Sequence, residues 1–92
     1  MADGSSLTVV VRYFAAARAA AGVPEERQTV PAPATVADVL RAAVDHHGAR
    51  LAQVLARCSY LLDEVAVHPG TADSAAVADG QSLDVLPPFA GG

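Results

Sequence analysis

Between Thr35 and Gly48 the apolar residues Val36, Val39, Leu40, Ala43 and Val44 recur at i, i+3, i+4, i+7 and i+8, the spacing that lines one face of an α-helix. Thr35 with Asp38 three residues on is an N-cap pattern, with Asp in place of the usual Glu or Gln, and Gly48 after His46 and His47 is the natural left-handed stop. One such helix cannot bury its stripe alone. It needs a second layer, and the flanking segments read as strands.

Leu7 to Phe14, LTVVVRYF, is β-branched and aromatic, with apolar side chains on both faces around Thr8 and Arg12, as in a central strand. The Ala-rich run after it predicts one or two helical turns stopped by Gly22 and Pro24, then an extended piece near Arg27 to Val30. Pro31 to Thr35 cannot continue a central strand, because each proline removes a ladder donor; it reads as a connection. Leu51, Val54, Leu55 and Cys58 repeat the helical spacing over a shorter helix. Tyr60 to Leu62 and Val65 to Val67 return to strand character on either side of Asp63 and Glu64, and a loop with Pro69 and Gly70 follows. Ala78 to Gln81 then reads as a turn before a final strand, Ser82 to Leu86, with Leu83 and Val85 on one face. The order predicts an α+β domain over residues 7–86, a small mixed sheet covered by one main amphipathic helix plus a short second helix. With the first and last strands adjacent in the middle, this is a β-grasp. Residues 1–6 read as a flexible leader and 87–92 as an extended tail.

Composition narrows the function. At 92 residues only one core can form, and 52% apolar residues with 4% aromatics means it is aliphatic. A formal net charge of −4 argues against a nucleic-acid partner. The single cysteine cannot form an intrachain disulfide, MADGSSL lacks a secretory pattern, and no apolar run approaches the roughly 20 residues of a membrane span, so a cytoplasmic protein with no membrane partner is expected. Cys58 completes an apolar stripe, where a thiol acts as a small hydrophobe rather than a relay. His46, His47 and His68 have no Cys or carboxylate at ligand spacing, so no metal is expected and the histidines read as solvated. Asp63, Glu64 and Asp84 read as solubilising surface. No nucleophile triad or phosphate-binding loop is visible, so no catalytic residue is assigned. The six basic residues are all Arg; the chain has no lysine.

The segments VRYFAAARAAAG, TVADVLRAA, DGQSLDVLPP and FAGG together resemble the ubiquitin-like sulfur-carrier family, most closely its molybdopterin synthase small-subunit branch (the MoaD/ThiS family). The likeness runs from Leu7 onward. It implies a β-grasp domain whose terminal carboxylate, here on Gly92, is adenylylated by a ubiquitin-activating-type adenylyltransferase using ATP. The product then becomes a thiocarboxylate that donates sulfur to the cyclic pyranopterin precursor in the large subunit of molybdopterin synthase, with a heterotetramer as the family's assembly and no cofactor bound to the carrier. Sister carriers serve thiazole, cysteine or tRNA thiolation, and a β-grasp module that only binds is a further alternative. The sequence departs from the family at Ala19 to Ala21 after Arg18, where a Glu is usual, and at His68, where an Asn is common.

The resemblance gives the tail LPPFAGG a chemical reading. A carboxylate is a poor electrophile until it carries a leaving group such as AMP. Gly91 and Gly92 let nucleotide and then sulfur approach without a Cβ in the way, and with Ala90 they can thread a narrow channel. Pro87 and Pro88 favour an extended stem of about 3.1 Å per residue, so the six tail residues reach roughly 19 Å. Phe89, with Pro87 and Pro88, is the expected docking element on a partner.

Overall fold

The computed structural model describes residues 5–88. Eleven elements follow in order: β1 (Ser6–Tyr13), α1 (Ala15–Ala21), β2 (Glu25–Pro31), β3 (Ala34–Thr35), α2 (Val36–His47), α3 (Ala49–Leu55), β4 (Ser59–Leu62), β5 (Val65–Val67), a 3-10 turn (Pro69–Thr71), β6 (Ala76–Val77) and β7 (Ser82–Leu86). Five strands form a mixed sheet in the order β2-β1-β7-β4-β5. β1 and β7 are parallel, with Val11 opposite Leu83 and Tyr13 opposite Val85; the other pairings are antiparallel. First and last strands do lie side by side in the interior of the sheet, the β-grasp arrangement of an α+β fold.

The pleat of β1 alternates more cleanly than its composition suggests. Leu7, Val9, Val11 and Tyr13 are buried on the helix-covered face, whereas Thr8 and Val10 are half-buried and Arg12 is exposed on the other. Val36, Val39 and Ala43 of α2 and Leu51 of α3 meet them with Leu83 and Val85, all fully shielded from water. Each fully buried Val or Leu contributes about 1.5–3 kcal/mol of transfer free energy. α2 begins with the anticipated capping box: Thr35 Oγ1 accepts from the Asp38 amide, and the Asp38 carboxylate accepts from the Thr35 amide at 2.9 Å. Its end is Gly48 at φ 96°, ψ −172°, positive as expected but in the extended mirror region rather than the left-handed helical one, because the chain turns at once into α3.

Several sequence expectations need correction. Pro31 ends β2 instead of starting the connection. It can do so because β2 is an edge strand, where a missing amide donor is tolerated. Ala34–Thr35 is not mere connection either but pairs with Ala76–Val77 in a separate two-stranded ladder. Cys58 lies beyond α3, which stops at Leu55; it is nevertheless buried, its Sγ donating to the Val54 carbonyl at 3.2 Å. Asp84 does not face solvent. It is 7% exposed, and the parallel register sets it beside Arg12, which clasps it through Nε at 2.7 Å and Nη2 at 3.1 Å.

Candidate functional site

The strand that leads to the tail is the third of five, held by β1 on one side and β4 on the other. Its last residues are fixed by Tyr60 and Ser59 opposite Val85 and Leu86, and by the Phe14 amide donating to the Val85 carbonyl at 3.1 Å. Pro87 and Pro88 then emerge exposed. Pro87 cannot donate to a ladder, so the sheet stops there and the chain leaves it. The stem is thus rooted in the best-buried strand while its prolines are presented to solvent.

Beside that exit lies an open groove of about 780 Å³, walled by Phe14, Ala17, Val54, Arg57 and the two prolines. The alternation of β1 creates it: Tyr13 points into the core at 1% exposure, so Phe14 must point out, and it is 38% exposed. The alanines that open α1 keep that helix low, leaving a shallow apolar floor. Arg12 stands with its guanidinium carbon 5.9 Å from the Phe14 ring centroid, adding a cation to the rim. Cys58 also lines the groove, but burial pushes its thiol above the ordinary value, away from the thiolate that sulfur chemistry needs.

Of the predicted site residues, Pro87 and Pro88 are therefore placed at the groove, while Phe89, Ala90, Gly91 and Gly92 lie outside the described residues. Arg18, whose neighbours break the family pattern, is exposed on α1, and its carbonyl accepts the Gly22 amide that closes that helix. His68 caps a local turn, its Nδ1 accepting from the Gly70 amide at 3.0 Å.

A second cluster escaped the sequence reading. His47 is not solvated: its side chain is 12% exposed and its Nε2 sits 2.5 Å from Glu26 Oε2. Tyr13 Oη donates to the same oxygen at 2.6 Å, and Gln28 Nε2 at 3.1 Å. Burial alone pushes the Glu26 carboxyl up, but the hydrogen bonds from Tyr13, His47 and Gln28 outweigh it and hold the group below its ordinary value. Burial and the neighbouring carboxylate drive the Tyr13 phenol far up, so it remains a donor. The carboxylate lies 21 positions from His47, on another element, and local spacing could not reveal it.

With this geometry in place, comparison with known proteins is informative. The model of the ThiS family matches residues 11–92. A molybdopterin synthase sulfur carrier subunit of Chlamydomonas reinhardtii is 33% identical over 86 residues, covering 94% of this chain and all of that protein. The solution structure of the Haloferax volcanii HVO 2177 protein superposes with a TM-score of 0.82 at 28% identity, covering all of this chain and 92% of the other. Small archaeal modifier protein 1 of H. volcanii does so with a TM-score of 0.77 at 27% identity, covering 90% and 99%.

Proposed function

The chain belongs to the ThiS family, and from that premise we propose that it is a sulfur carrier for molybdopterin, and hence molybdenum cofactor, biosynthesis. Gly92 is the working residue. An oxygen of its carboxylate attacks the α-phosphorus of ATP, pyrophosphate leaves, and sulfur then displaces AMP from the acyl carbon to give the thiocarboxylate. The activating enzyme is a ubiquitin-activating-type adenylyltransferase, and the acceptor is the cyclic pyranopterin precursor held by the large subunit of molybdopterin synthase. The chain itself is a consumable donor rather than a catalyst.

The observation that carries this reading is the match along the whole length of a relative named as a molybdopterin synthase sulfur carrier subunit. The geometry supports it. A stem of two exposed prolines leaves a rigid central strand, which lowers the ordering entropy lost on entering a partner's pocket. The apolar groove at its root offers that partner a seat that includes Phe14. The test is to incubate the chain with ATP, a sulfur donor and the adenylyltransferase. Intact-mass spectrometry should show one oxygen exchanged for sulfur, mapped to Gly92, and the product should convert the precursor when the large subunit is added. No exchange sinks the carrier reading; exchange without conversion sinks the molybdopterin branch and leaves the sister pathways.

The likeness to small archaeal modifier protein 1 favours a second reading, in which the activated tail is joined to amino groups of other proteins. Lacking lysine, the chain offers no side-chain amine on which a copy of itself could be built, so branching through a side chain of its own is closed. Adducts of one chain's mass on other proteins, in place of precursor conversion, would decide for it.

A further inference from the structure

We propose that Glu26, His46 and His47 form a binding site for a divalent transition metal of the zinc type. One ligand atom from each residue lies within 4.8 Å of the other two. Two imidazoles and a carboxylate are the donor set that zinc accepts when it keeps a fourth position open. In a tetrahedral zinc site the ligand atoms sit about 3.4 Å apart. His46 is exposed and can swing inward, whereas His47 and Glu26 are already held in contact at 12% and 18% side-chain exposure. Because Nε2 cannot both bond Glu26 Oε2 and bind a metal, the His47–Glu26 hydrogen bond gives way to coordination as the exposed His46 swings in.

Three further features favour a cation here. The carboxylate is oriented by Tyr13 Oη and Gln28 Nε2, partners that fix a metal ligand from behind. These two contacts and that of His47 all fall on Oε2; among the described residues Oε1 accepts no hydrogen bond and is available to a metal. Both histidines lie in the last turn of α2, where the exposed carbonyl ends of a helix favour positive charge. The metal would tie the end of α2 to the edge strand β2. The sequence expectation of no metal rested on the lack of a carboxylate near the histidines, and the fold supplies one. This site is independent of the sulfur-carrier reading, since it uses no residue of the tail.

The experiment is titration of the chelator-stripped, unthiolated full chain with zinc chloride, by calorimetry and by imidazole proton NMR. Binding of one equivalent is expected, with the His46 and His47 resonances shifting and those of His68, beyond the opposite sheet edge, unmoved. His46→Ala, which spares the Glu26–His47 pair and should leave the circular dichroism spectrum unchanged, is expected to weaken binding at least tenfold. Glu26→Gln should do the same, and Tyr13→Phe should weaken it roughly tenfold, as loss of an orienting partner does. Cys58→Ser should leave binding as it was. No binding at about 100 μM zinc, or binding that His46→Ala and Glu26→Gln leave intact, would overturn the proposal.

Discussion

Tyr13→Phe tests whether the Tyr13–Glu26–His47 cluster holds the fold together. The change removes one hydroxyl from a side chain 1% exposed, which donates at 2.6 Å to a carboxylate that keeps two other donors. Because Glu26 is not orphaned, the loss is that of a single hydrogen bond to a charged acceptor, about 2 kcal/mol. For a domain of this size that lowers the melting temperature by roughly 8–16 °C. The pH dependence follows from the direction of the Glu26 shift. A carboxyl whose folded value lies below its unfolded one contributes stability that is present above the ordinary value of 4.5 and is lost as pH falls through the folded value. Below that value Tyr13 donates to a neutral acid, and the penalty of the substitution should shrink to about 1 kcal/mol. Urea denaturation of wild type and Tyr13→Phe at neutral and acid pH, with EDTA present to remove metal, measures both quantities. A penalty that does not change with pH would refute the assignment of Glu26 as the charged acceptor.

Three other outcomes are expected. Gly48→Ala should destabilise by about 1–3 kcal/mol in urea denaturation, through backbone strain alone, since φ is +96° and a Cβ there would meet nothing within 4 Å. Glu64→Gly should stabilise by about 1 kcal/mol by the same assay, because Asp63 and Glu64 both take positive φ in the two-residue hairpin between β4 and β5, and only Asp63 is held there by bonds to Ser82 and Gln81. Phe14→Ala, at an exposed ring beside the tail root, should weaken the complex with the large subunit, read by calorimetry, at least tenfold while leaving the melting temperature within a few degrees.

What the sequence made legible was local. The stripe of α2 and its Thr35–Asp38 box, the break in strand character at Asp63 and Glu64 and the alternation of Leu83 with Val85 each rest on residues within a few positions of one another, and all appear in the structure. What it hid was set by register between distant strands. Asp84 looked like a surface acid because nothing in Ser82 to Leu86 announces that Arg12 lies opposite it, 72 positions away in the chain. Glu26 drew no reading from the sequence, and His47 read as solvated, until the antiparallel pairing of β1 with β2 set Glu26 opposite Val11. Phe14 was counted as the last residue of a central strand. The strand stops at Tyr13, and the ring becomes one wall of the groove.

These corrections share a direction, and it bears on how the proposed carrier works. The parallel pairing of Tyr13 with Val85 sets the core-facing cluster of Tyr13, Glu26 and His47 at the same end of the sheet as the exit of the tail. The opposite face of the same strands carries the Arg12–Asp84 pair, which ties β7 to β1 two residues before Leu86, while the Tyr13 cluster anchors β1 itself to β2 and α2. In the proposed carrier, a tail that delivers Gly92 to one pocket and then to another gains from a base that does not yield. Slack of even 1 Å at Leu86 would pass through Pro87 and Pro88 toward the reacting carbon, where misplacement on that scale costs large factors in rate.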